Sequence, residues 1–117
     1  MHRTFITLAL ASAMLAGPAL AQNGIGTMER GTYVCELPGD VRGAAGIAQP
    51  EANFTIISAS RYSSPQGGGT YLRRGDVVRM TSGPRHGDAY RMISRNFLRL
   101  LDDDGTPGKL RCIRRGR

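Results

Sequence analysis

Short runs of alternating apolar and polar residues, separated by turn residues, constrain the fold of this chain more than any other feature. From Gly31 onward, Gly, Pro, Asn or Asp interrupts these runs every 8 to 15 residues, and no segment shows the spacing of an amphipathic helix. The pattern predicts a small all-β domain. We expect strands at residues 32–37, 53–59, 70–74, 76–81, 88–94, 96–101 and 109–113.

The turn residues between the predicted strands indicate how consecutive strands are connected. Asp104-Gly105 is the strongest short hairpin signal, because Gly accepts the positive φ that such turns need. Residues 63–69 (SSPQGGG) are expected to form a flexible connector. Consecutive strands joined by short turns favour an antiparallel up-and-down meander of six to eight strands. The pattern leaves open whether the meander forms a barrel or a sandwich.

Side-chain parity divides the predicted strands into an apolar inner face and a basic outer face. The inward set is expected to be Tyr33, Cys35, Leu37, Phe54, Ile56, Leu72, Val78, Met80, Tyr90, Met92, Leu98, Leu100, Leu110 and Cys112. The opposite parity places one arginine on each of the five C-terminal strands: Arg73, Arg79, Arg91, Arg99 and Arg111. Phe97 and Leu101 share this outer parity, which predicts either cover by a loop or a contact patch.

The first 21 residues have the three parts of a secretory signal peptide. A positive start at His2 and Arg3 precedes an apolar run, and Ala19-Leu20-Ala21 forms a cleavage site. The run is shorter than the ~20 apolar residues that cross a bilayer, so we expect export and no membrane span. The alternative, an N-terminal core helix, would be amphipathic. We therefore expect a flexible mature N-terminus at residues 22–30, then one β domain at residues 31–115, in the periplasm or secreted.

Two cysteines, Cys35 and Cys112, lie near the two ends of the mature chain. In an exported protein this pair is most simply a disulfide that ties the first strand to the last. Two free thiols with a redox or metal role are the alternative. Neither cysteine has a CxxC partner or a His at ligand spacing.

Positive charge is concentrated in the second half of the chain. Residues 22–60 contain two basic and four acidic residues, whereas residues 61–117 contain 13 basic and five acidic residues, a net charge of +8. Arginine forks bind phosphate, carboxylate and sulfate, so the five outward arginines predict an anion-binding face. A solvated face that protects solubility is the alternative. We expect an anionic envelope polymer or a protein as partner, and a monomeric state. Nucleic acid is excluded because aromatic residues are few and the chain is exported.

No motif predicts catalysis, a metal or a cofactor. His86 has only Asp88 nearby as a second titrating group. Asp102-Asp103-Asp104-Gly105 starts like a calcium loop, but the Glu that such a loop needs is missing. Gly67-Gly68-Gly69 lacks the GK[ST] ending of a phosphate loop. We therefore expect a non-enzymatic protein.

Three segments carry a resemblance to known proteins. GTYVCELPGD, GTYLRRGDVVRMTSGPRHGDAYR and FLRLLDDDGTPGKLRCIRR resemble a set of small exported proteins of alphaproteobacteria, over most of residues 31–115. That resemblance implies export and a two-cysteine β domain, and no activity.

A looser resemblance is to the periplasmic inhibitors of C-type lysozyme, which are small eight-stranded β-barrels. Tyr33-Val34-Cys35 and Cys112 match their layout of cysteines. Their inhibitory Ser-Gly-x-x-x-Tyr loop is echoed, without its Ser, by Gly67, Gly68, Gly69, Thr70 and Tyr71. The resemblance implies, as an alternative function, inhibition of a hydrolase through that loop.

Overall fold

Ten β-strands form the part of the chain that the computed structural model describes, residues 25–39 and 45–116. The predicted signal peptide, residues 1–21, lies outside the described residues. A single turn of 3-10 helix at Pro50–Ala52 precedes the fourth strand. The strands are β1 (Ile25–Gly26), β2 (Gly31–Pro38), β3 (Gly46–Ala48), β4 (Phe54–Ile56), β5 (Arg61–Ser64), β6 (Gly67–Arg74), β7 (Val77–Met80), β8 (Ala89–Ser94), β9 (Phe97–Leu101) and β10 (Pro107–Arg114).

Eight of these strands form a closed antiparallel barrel. They follow the chain in the order β2, β4, β5, β6, β7, β8, β9 and β10, and β10 then pairs with β2 to close the sheet. β3 pairs with the end of β2, and β1 pairs with the end of β6. The predicted all-β meander is therefore confirmed, and it is a barrel, in which closure removes the exposed strand edges of an open sheet.

A disulfide joins the two strands that close the barrel. Cys35 in β2 lies directly opposite Cys112 in β10, and the two are bonded across a sequence separation of 77 residues. Both cysteines are fully buried. The predicted bridge between the first and last strands is confirmed.

Tyrosines fill much of the barrel interior. Tyr33, Tyr62, Tyr71 and Tyr90, all the tyrosines of the chain, are buried with Phe54. The rings of Tyr33 and Phe54 stack with centroids 5.1 Å apart. Each ring supplies a large apolar surface, and a buried hydroxyl needs a hydrogen-bond partner.

Three of the four hydroxyl groups have partners at the two ends of the barrel. At one end, Tyr33 donates to the carbonyl of Glu29 (2.9 Å) and Tyr71 donates to the carbonyl of Ser58 (3.0 Å). At the other end, Tyr62 donates to the carbonyl of Ser82 (2.9 Å). The core is therefore apolar in the middle and hydrogen-bonded where it meets the loops.

Residues 25–30 close the first of these ends. Met28 is 4% exposed, and its backbone N–H donates to the Tyr71 hydroxyl. The expectation of a flexible segment does not describe these residues, because β1 pairs with β6 and Met28 fills the open mouth of the barrel. A short polar segment with one Met gave no sequence signal for this role.

The seven predicted strands are all present, and three short strands were not predicted. β5 (RYSS) contains only one buried residue, Tyr62, so it lacks the alternation that marks a strand. Over residues 25–39 and 45–116, the structure contains no helix whose length and hydropathy would let it cross a membrane.

Removing the disulfide should lower the free energy of unfolding by roughly 4.5 kcal/mol, the chain-entropy value for a loop of this length. Urea denaturation of C35A/C112A and of the reduced wild type would measure it. A loss below about 1 kcal/mol in both would show that strand pairing alone closes the barrel.

The barrel should also lose stability at high pH. Burial raises the pKa of Tyr33 to about 12 from an unfolded value of 10.0, although the charge of Arg114 opposes the shift. Its contribution is therefore complete below pH 10 and is lost as pH rises towards 12, by about 1.4 kcal/mol per pH unit. Denaturation curves across this window should show a shallower decline for Y33F than for the wild type. Equal slopes would contradict the assignment.

Candidate anion-binding site

Three of the predicted arginines form a straight row across the outside of the barrel. Arg91 in β8 lies directly opposite Arg99 in β9, and Arg99 lies directly opposite Arg111 in β10. Adjacent strands are about 4.8 Å apart, so this Arg row spans about 10 Å. The residues alternate with the buried Tyr90, Leu98 and Cys112, which fixes their outward direction.

A carboxylate pairs with each end of the Arg row. Arg91 lies 3.5 Å from Asp76, in the β6–β7 turn, and Arg111 lies 2.7 Å from Glu36, which is its cross-strand neighbour in β2. Arg111 also donates to the carbonyl of Ala45. These partly exposed ion pairs orient the side chains and contribute little to stability.

The centre of the Arg row has no carboxylate partner among the described residues. Arg99 donates from Nε and Nη2 to one oxygen, the carbonyl of Gly108, at 3.0 and 2.6 Å. The Nε atom of Arg91 is buried and has no hydrogen-bond partner within the described part of the chain. Like charges directly opposite one another destabilise a sheet. The row therefore holds more positive charge than its own acidic neighbours neutralise.

The other two predicted arginines lie elsewhere. Arg79 is exposed on the outer face of β7, opposite Ala89. The residue of β7 that lies opposite Arg91 is Val77, two residues earlier. Arg73 has the inward parity of β6, opposite the buried Val78. It lies at the barrel end and donates to the carbonyls of Thr27 and Gly75, both at 2.7 Å.

The parity predicted for β6 was therefore wrong. Leu72, expected inside, is 37% exposed, whereas Tyr71 is 3% exposed. Tyr71 faces inward because its hydroxyl reaches Ser58 and Met28 at the barrel end. This reversal places Arg74 on the outer face, where it is exposed opposite Val77.

The proposed inhibitory loop is not a loop. Gly67, Gly68, Gly69, Thr70 and Tyr71 form the first part of β6, and the turn that precedes them is Pro65-Gln66. The buried Tyr71 side chain cannot contact a partner protein. The prediction of a flexible connector at residues 63–69 is wrong for the same reason.

The glycines in β6 allow the β7–β8 loop, residues 81–88, to lie against the strand. A Cβ atom on Gly69 would overlap the carbonyl of Ser82, and one on Gly83 would overlap the carbonyl of Gly68. Gly83 also has a φ of +87°. Side chains at these positions would lift the loop away from the barrel.

That loop carries a buried arginine that the sequence did not reveal. Arg85 is 8% exposed and lies over the barrel end opposite to Met28. Its guanidinium donates to the carbonyls of Ala52 (2.7 Å), Glu51 (2.8 Å) and Asn53 (2.8 Å), and to the Gln66 side chain. It also lies 5.9 Å from the Phe54 ring centroid. Arg85 therefore joins the 3-10 turn to the β7–β8 loop.

Two titratable side chains, Asp88 and His86, lie near Arg85 in the β7–β8 loop. Burial raises the pKa of Asp88, and the charge of Arg85 opposes this shift. His86 is exposed in the same loop. No group of three or more His, Cys, Asp or Glu side chains that could hold a metal ion is found in residues 25–39 and 45–116.

Comparisons with protein-family models, with curated proteins and with solved structures found no match to this chain. A function for this chain therefore has to be inferred from the geometry of the barrel and its Arg row.

Replacing Arg85 by Met should lower the free energy of unfolding by about 3 kcal/mol, because three carbonyl groups lose their donor. Chemical denaturation would measure the loss. Hydrogen exchange should also accelerate at residues 50–53 and in the β7–β8 loop. R61M, at an exposed position of β5, is the matched control and should change stability by less than about 0.5 kcal/mol. Equal stability of the two variants would show that Arg85 does not fasten this end.

Proposed function

We propose that this chain is an exported, non-enzymatic β-barrel domain that binds an anionic component of the cell envelope through the Arg row. The supporting observation is the direct opposition of Arg91, Arg99 and Arg111 across three neighbouring strands. Such a row costs stability in the free protein, and a bound anion would remove the repulsion.

The geometry favours a ligand with several anionic groups. The arginines of the row all face outward from neighbouring strands about 5 Å apart, so a ligand that follows the barrel surface across the strands meets them in turn. Guanidinium groups bind phosphate, sulfate and carboxylate through paired hydrogen bonds. Exposed Arg74 and Arg79 extend the positive surface over β6 and β7.

Export is supported by two features that act together. The disulfide between Cys35 and Cys112 persists in an oxidising compartment, and residues 1–21 have the pattern of a signal peptide. We therefore place the protein in the periplasm or outside the cell, with the alphaproteobacterial exported proteins as the set it resembles.

Two other partners are less well supported. Of the six aromatic residues after residue 21, all but Phe97 are buried, so few rings are left to stack on bases. Inhibition of a hydrolase lacks support because the residues expected to form the inhibitory loop belong to strand β6. A net charge of +6 after removal of the signal peptide would also repel a basic lysozyme.

The test is binding of heparin as a polyanion probe at low and physiological salt. The wild type should bind, and binding should weaken as salt rises. R91Q/R99Q/R111Q should bind about 100-fold more weakly, because three charge-assisted contacts are lost. R30Q/R61Q/R115Q removes the same charge from other exposed positions and should bind within a few-fold of the wild type.

Three outcomes separate the alternatives. Equal weakening in both triple variants would show that general basicity, and not the Arg row, holds the probe. Absence of binding at low salt would overturn the proposal. In the unliganded protein, R99Q alone should leave the melting temperature unchanged or raise it, because it removes the central like charge.

A further inference from the structure

Apolar residues border the Arg row on the outer face of the barrel. Towards the barrel end that holds Met28, Phe97 in β9 lies opposite Ile113 in β10, which lies opposite Val34 in β2. All three side chains are partly exposed. This strip runs parallel to the Arg row, one position along each strand on the outer face.

One further apolar side chain lies in β8, the strand of Arg91, on the same side of the row as Phe97. Ile93 is 49% exposed and lies at the irregularity in β8, next to the pairing of Ser94 with Phe97. We call Ile93, Phe97 and Ile113 the apolar border.

This combination indicates what kind of anion the face accommodates. A hydrophilic polyanion would use the arginines and leave the apolar border in contact with water. A lipid surface offers phosphate groups at one depth and acyl chains immediately below. Exposed apolar residues next to basic ones mark surfaces that contact membranes.

We propose that the anionic component is the surface of a membrane that contains anionic phospholipids. The Arg row binds headgroup phosphates, and the apolar border enters the boundary between headgroups and acyl chains. This inference rests on the proposed function and specifies its ligand. The alternative ligand is an anionic polysaccharide, and the vesicle and heparin tests distinguish it from a membrane surface.

The side chains have the reach that this docking requires. Arginine stems are long, apolar and flexible, so the guanidinium groups bend back to the phosphates while the shorter side chains of the apolar border enter the acyl boundary. The acidic turn at residues 102–104 follows β9 at the other end of the barrel and is repelled by an anionic surface. The barrel therefore docks on β8 to β10 rather than on that turn.

A single tryptophan can report the contact, because the chain contains none. In I93W, mixed phosphatidylglycerol–phosphatidylcholine vesicles should shift the emission to the blue, and pure phosphatidylcholine vesicles should not. I57W is the matched control: Ile57 is 50% exposed and follows β4, four strands away from β8 around the barrel. Its emission should not shift.

Substitutions separate the contributions of charge and of apolar contact. In sedimentation with the mixed vesicles, R91Q/R99Q/R111Q should lower partitioning into the vesicles about 100-fold, because each replaced arginine loses its charge contact with the headgroups. I93S/I113S should lower it about tenfold, from lost apolar burial. I57S makes the same kind of change at a 50% exposed position four strands away from β8 and should have no effect.

The outcomes distinguish the inference from the function beneath it. Heparin binding without vesicle binding overturns the lipid surface and leaves a hydrophilic polyanion as ligand. Vesicle binding that is equally strong in I93S/I113S also overturns the inference, since charge alone would explain it. If the wild type binds neither heparin nor the vesicles, the proposed function itself is overturned.

Discussion

The pairing of β2 with β10 is the contact on which the rest of the barrel depends. It joins the first and last strands of the meander and places Cys35 against Cys112 in the core. Without it the sheet would have two open edges, and the tyrosines of its inner face would meet water. The same register places Arg111 opposite Glu36, so closure also fixes one end of the Arg row.

The two barrel ends are closed in different ways. Met28 fills one end as an apolar plug, with its N–H bonded to Tyr71. At the other end Arg85 spans the opening as a cation bound by backbone carbonyls. A buried charge costs free energy unless its hydrogen bonds are made, and here the 3-10 turn supplies several acceptors at once. The interior is therefore filled, which leaves the outer surface for the binding that we propose.

Alternation was enough to predict seven of the ten strands and the outward direction of Arg79, Arg91, Arg99 and Arg111, and the disulfide followed from the signal-peptide pattern and the cysteine count. It failed in β6, where Tyr71 and Leu72 are neighbours and either could face inward. The choice depends on the partners of the Tyr71 hydroxyl, Ser58 and Met28, which are distant in sequence. Arg85 was missed for a related reason: an arginine in a polar loop gives no sign that carbonyls elsewhere in the chain will enclose it.

The sequence separation of the closing strands also determines when the fold can be completed. Cys112 lies 77 residues after Cys35, so β2 has no partner for its closing edge until almost the whole domain has been synthesised. Long-range pairing of this kind makes folding slow, because chain entropy is lost before the contact forms. Until β10 is synthesised, a nascent chain of this design can form at most an open meander. The two thiols meet only after that point, so disulfide formation and closure are the last events of folding.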